Sequence, residues 1–120
     1  MRACLALLAL LLLAGCADFQ PPTPNACAVW SAAASHRLTT SGVWNRVLRI
    51  SFEEPIGHEV VIFEHVDGHL WCYDPALDDG YGNFGGSYQL GSDSRDPLYL
   101  AFETGRGYGT VKGGKFMQSN

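Results

Sequence analysis

The sequence predicts an α+β domain in which one N-terminal helix packs on an antiparallel sheet of four or five strands. Three observations predict it: an alanine-rich run behind a capping residue, a hairpin around a Val-Asp-Gly loop, and three further short β-patterned runs. The helix covers residues 26–38. Asn25 is a good N-cap, and His36 and Arg37 near the far end suit the helix dipole. Residues 39–42 form a turn cluster. Residues 43–52 read as a strand with Val47, Ile50 and Phe52 apolar and Arg46 and Arg49 polar, and Pro55 ends that pattern.

The hairpin is the clearest element: 58–65, the loop Val66-Asp67-Gly68, then 69–74. A three-residue loop commonly ends on a left-handed residue, which suits Gly68, and sets His65 opposite His69. One face then carries His58, Val60, Ile62, Leu70, Cys72 and Asp74, and the other carries Glu59, Val61, Phe63, Trp71 and Tyr73. His58 and Asp74 become diagonal neighbours, within side-chain reach. A two-residue loop would shift the register by one and put Asp74 on the other face. Residues 75–97 form a long loop rich in Gly, Asp, Ser and Tyr, 98–102 are expected as a strand, and 110–116 as a weak edge strand. There is no internal repeat.

The first 15 residues are expected to be a signal peptide: Arg2 is the positive end, Leu5 to Leu13 the apolar stretch, and small residues come after it. Leu13-Ala14-Gly15-Cys16 resembles a bacterial lipobox, which implies lipidation of Cys16 and a membrane anchor. Residues 16–25, with Pro21, Pro22 and Pro24, read as a short tether, and 26–120 as the domain. Ala17 behind the lipidated position points to the outer membrane, facing the periplasm. Cleavage leaves 105 residues, enough for one small domain, with 7 basic against 12 acidic residues. No basic run or RNA-binding signature is present, so nucleic acid is not an expected partner.

Cys27, His58 and Asp74 have the order and placement of a nucleophile, its base and the acid that orients the base. A thiol attacks a carbonyl as a thiolate, and the first turn of a helix favours an anion. His58 would take the proton, and Asp74 would hold the far nitrogen of its ring. In this reading the helix crosses the hairpin face that carries His58, and the apolar remainder of that face covers it. Candidate oxyanion donors are the Cys27 N–H, the Trp44 indole and Gln20.

At these residues the chain resembles the papain-like superfamily, most closely its transglutaminase-like branch. Gly57-His58-Glu59-Val60-Val61-Ile62-Phe63 looks like that branch's His strand, and Leu70-Trp71-Cys72-Tyr73-Asp74-Pro75 like its Asp-Pro strand. The similarity covers 25–75, about half the mature domain. It implies a cysteine hydrolase or amide acyltransferase with Cys27 as nucleophile, His58 as general base and acid, and Asp74 as orienting residue. No cofactor or metal is implied. The expected location makes periplasmic peptides and peptidoglycan stems candidate substrates.

A second reading stays open. With Cys4 removed and Cys16 lipidated, Cys27 and Cys72 remain, and two cysteines in an oxidising compartment suit a disulfide. The chain would then be a non-catalytic lipoprotein module for binding or assembly, using its Tyr/Gly loop as a contact surface. His65 and His69 near Glu64 and Asp67 suggest a metal only with a third ligand, and a solvated hairpin tip is the plainer reading. Asp78 and Asp79 lack calcium-loop spacing. Tyr81, Phe84 and Tyr88 suit either a cleft or packing on the sheet.

Overall fold

The computed structural model describes residues 26–78 and 84–117. The expected signal peptide, Cys16, Gln20, the tether and the Asn25 cap lie outside the described residues, as do Asp79 and Tyr81. The elements run α1 (Ala26–Thr40), β1 (Asn45–Phe52), β2 (Gly57–Glu64), β3 (Leu70–Tyr73), a 3-10 turn Pro75–Leu77, β4 (Ser87–Gln89), α2 (Pro97–Gly105) and β5 (Val111–Phe116). The sheet order is β4-β3-β2-β1-β5, antiparallel throughout. The protein is α+β, with the N-terminal helix packed on a five-stranded antiparallel sheet.

The hairpin has the register that a three-residue loop dictates. Ile62 pairs with Cys72 and Glu64 with Leu70. The Gly68 N–H donates to the His65 carbonyl at 2.9 Å, and Gly68 takes φ +84°, a conformation open to a residue without Cβ. Edge strand β5 pairs with β1, from Leu48 opposite Phe116 to Phe52 opposite Val111.

The structure corrects three expectations. The stretch 75–97 is not one loop, since it holds the turn Pro75–Leu77 and strand β4, which pairs with β3. Residues 98–102 are helical, inside α2. Asp96 caps that helix by accepting from the Tyr99 N–H at 3.0 Å, and Pro97 fills the first position, where its missing N–H costs nothing. α2 covers the face built from Leu48, Ile50, Val60, Ile62, Leu70 and Cys72, burying Leu100 and Ala101 against them. Consequently α1 lies on the opposite face, with Ala34 packed against Val61, Phe63 and Tyr73. Strand β2 is thus sandwiched, and six successive residues, His58 to Phe63, are buried. A strand covered on both faces reads as a continuous apolar run rather than an alternation, as Val60 to Phe63 do.

Small polar residues hold α1 close to the sheet. The Ser31 hydroxyl donates to the Glu59 carbonyl at 3.0 Å and the Ser35 hydroxyl to Asn45 Oδ1 at 2.5 Å, while Asn45 Nδ2 donates to Thr39 Oγ1 at 3.0 Å. Cys27 lies one helical turn before Ser31 on this same stripe, so the stripe carries it to the end of the sheet where β1 turns into β2. Among the described residues no helix is long and apolar enough to cross a membrane.

Candidate functional site: a buried His-Asp pair beside Cys27

β2 supplies His58 and the end of β3 supplies Asp74. His58 Nε2 stands 2.8 Å from Asp74 Oδ1, and both side chains are only 1% exposed. Asp74 also caps the 3-10 turn, Oδ1 accepting from the Ala76 N–H at 3.0 Å. Its second oxygen, Oδ2, accepts from the Tyr108 hydroxyl at 2.5 Å. Both carboxylate oxygens are thus held, which suits a buried acid. The carboxylate only accepts, so His58 Nε2 carries the hydrogen and the neutral ring keeps its lone pair on Nδ1. That nitrogen is buried with no hydrogen-bond partner among the described residues.

Cys27 and Ala28 of α1 share a cavity of about 390 Å³ with Arg49 to Phe52 and Ile56 to Glu59, His58 included. The structure thus joins His58 directly to Asp74 on the face covered by α2, while α1, on the opposite face, brings Cys27 to a cavity that His58 also lines at the sheet end. Cys27 is 6% exposed and sits in the first turn of α1, where the dipole favours an anion.

Tyr108 escaped the sequence reading. It lies between α2 and β5, half-buried against the core, and its ring centroid is 4.4 Å from that of His58. Its hydroxyl pKa is raised above the ordinary value, first by burial and then by the hydrogen bond to Asp74, with Cys27 and Cys72 adding to the effect. Tyr108 therefore remains a protonated donor to Asp74 at neutral pH. Its only sequence signal is the Gly107-Tyr108-Gly109 setting, which carries no period.

Other candidates fall elsewhere. Trp44 is excluded as an oxyanion donor. It precedes β1 by one residue, six residues from Ile50, the partner of His58, so roughly 20 Å of strand separates it from the site. Its ring lies under the Arg46 and Arg95 guanidiniums. Cys27 and Cys72 are not bridged. The crossing that would have joined them is missing: α1 lies on the other face of the sheet, Cys27 sits at the sheet end where β2 begins, and Cys72 is sealed under α2 further along, opposite Ile62. Burial pushes the Cys72 thiol up, only partly offset by its hydrogen bond with Tyr88. Thiols raised in this way are inert.

His65 stacks on Trp71 at 4.5 Å, and His69 Nδ1 pairs with Asp93 Oδ2 at 3.2 Å. Among the described residues no three His, Cys, Asp or Glu side chains converge as a metal would require. Asp78 accepts from the Tyr73 hydroxyl at 2.5 Å, and Phe84 and Tyr88 pack on opposite faces of the sheet.

The buried acids imply an alkaline limit to stability. Cys72, Tyr88 and Tyr108 all have folded pKa values raised above their ordinary 9.0, 10.0 and 10.0. A raised folded pKa means that stability is complete below the unfolded value and is lost as pH climbs toward the folded one. Melting temperature should therefore hold up to about pH 9 and fall beyond it, at up to ~1.4 kcal/mol per pH unit for Cys72. Tyr108→Phe should lessen the decline above pH 10. An identical profile in that variant would remove Tyr108 from the account.

Comparisons with protein-family models, curated proteins and solved structures found no match to this chain.

Proposed function

We propose that the chain is a membrane-anchored cysteine hydrolase or amide acyltransferase of the bacterial envelope, acting through Cys27, His58 and Asp74 on peptide or peptidoglycan amides in the manner of the papain-like superfamily. The observation that carries the reading is the buried His58–Asp74 pair with its unpartnered Nδ1, at a residue that shares a cavity with Cys27. Lipid anchoring through Cys16 rests on the sequence motif.

In the reaction, His58 Nδ1 accepts the Cys27 proton and the thiolate adds to the amide carbonyl carbon. Collapse breaks the C–N bond, and the amine leaves with the proton returned by Nδ1. The resulting thioester is attacked by water or by a second amine, deprotonated in turn by Nδ1; the C–S bond breaks, and Cys27 leaves as a thiolate that takes the proton back, so the choice of nucleophile separates hydrolysis from transamidation. Asp74, with both oxygens held, keeps the ring in the tautomer that both proton transfers require.

The test is alkylation of Cys27 by iodoacetamide across pH, followed at the Cys27 peptide by mass spectrometry in full-length protein kept in mild detergent without reductant. Fast labelling at mildly acidic pH, slowed on the order of 100-fold by His58→Ala, is expected for an activated thiolate. Labelling at the rate of an ordinary thiol, indifferent to His58, would refute the proposal. Labelling only after a reductant is added would favour the disulfide-locked module instead.

A further inference from the structure

Two rows of residues cross the sheet beneath the N-terminus of α1, and they differ in kind. In one row Gly57 of β2, Ser51 of β1 and Gly113 of β5 pair side by side. A Cβ added at Gly113 would meet nothing within 4 Å, and one at Gly57 only the Ile50 carbonyl at 3.9 Å. This row is a flat, open floor leading from the Cys27 cavity to the edge of the sheet. The neighbouring row, on the same face, is Glu59, Arg49 and Lys115.

That second row is electrostatically unbalanced. Arg49 donates from Nε at 3.0 Å and from Nη2 at 2.8 Å to one oxygen of Glu59, which neutralises one cation. Like charges directly opposite on neighbouring strands are unfavourable, yet Lys115 faces Arg49 and forms no ion pair among the described residues. The Arg49 side chain is still 46% exposed and spends only two of its five N–H donors on Glu59. In a chain of net charge −4, a row of two cations to one anion, reaching the Cys27 cavity at Arg49 and Glu59, has a ligand-binding logic.

We propose that Arg49, reinforced by Lys115, is an anion-recognition ledge that selects acyl donors carrying a carboxylate near the bond to be attacked, with the substrate backbone lying on the Gly57–Ser51–Gly113 floor. The proposal rests on the reading of Cys27 as the nucleophile. Arg49 suits the task because its planar fork can hold Glu59 on one edge and a substrate carboxylate on another. Lys115, at the open rim, adds field rather than geometry.

Two alkylating agents of nearly equal size test it, since iodoacetate is anionic and iodoacetamide neutral. The readout is the ratio of their rates at Cys27, which cancels changes in thiol nucleophilicity common to both. In full-length protein at low salt the ratio is expected to fall roughly tenfold in Arg49→Gln and about threefold in Lys115→Gln, with the differences shrinking as salt is raised. Lys112→Gln makes the same charge change outside the row and should leave the ratio where it was. Ratios unaltered in both Arg49→Gln and Lys115→Gln, or lowered equally by Lys112→Gln, would overturn the ledge. The catalytic reading fails separately, through an iodoacetamide rate indifferent to His58→Ala. Even then the rate ratio, taken at alkaline pH, still decides whether the ledge exists.

Discussion

Asp74→Ala is expected to lower the melting temperature by on the order of 15 °C and to bring Cys27 labelling down to the rate of an ordinary thiol. The substitution strips partners from His58 Nε2, the Ala76 N–H and the Tyr108 hydroxyl at once. Each buried group left without a partner costs about 1–3 kcal/mol, so a total of about 3–5 kcal/mol is reasonable for three groups that share one acceptor. A domain of this size loses about 4–8 °C per kcal/mol. The chemical loss has a different origin: without Asp74 nothing holds the ring hydrogen on Nε2, and the lone pair is no longer confined to Nδ1. Thermal melts and the labelling profile separate the two losses. A variant that melts near wild type would mean that the pair is neither buried nor fully bonded.

Gly86→Ala should be almost as damaging, although alanine is the smallest side chain that could be added. A Cβ there would stand 2.5 Å from the Asp74 carbonyl oxygen and 2.8 Å from both the Asp78 nitrogen and the Leu77 carbonyl carbon. All three are backbone atoms of the turn that Asp74 caps, so no side chain can swing aside to make room. The Gly86 carbonyl also accepts from the Asp74 N–H at 3.3 Å, so relief of the clash moves Asp74 itself. A cost of about 3 kcal/mol is expected, at the upper end for overpacking, together with slowed labelling of Cys27. Gly107→Ala is the control, since a Cβ there meets nothing within 4 Å. Equal melting temperatures for the two variants would contradict the packing argument.

Much of this arrangement is legible along the chain. The His58–Asp74 pairing follows from local chemistry alone: Gly68 at the left-handed position sets a three-residue loop, the loop sets the register, and the register makes the two residues diagonal neighbours. The helix start near Cys27 and the edge strand 110–116 are likewise matters of capping and short-range pattern. The two departures that concern the helices share one cause. Val60, Val61, Ile62 and Phe63 are apolar on both faces, a pattern that demands two covering layers, whereas the sequence pattern supplies only one evident helix. The missing layer is announced at Asp96-Pro97, a capping residue before a proline, but the short apolar run behind it suits either a strand or a helix.

By itself, then, the sequence determined what neighbouring residues dictate to one another: the α+β class, the hairpin register, and the face that His58 and Asp74 share. Only the tertiary structure decided which helix lies on which face, because both faces of β2 are equally apolar and binary pattern cannot rank them. That choice separates Cys72 from Cys27 and brings Tyr108 onto Asp74 from 34 residues away, while the register of β1 on β2 keeps Trp44 far from the site. Strand pairing in turn lines up Glu59, Arg49 and Lys115 across three strands. Such contacts depend on how the chain closes over long loops, and no local periodicity records them.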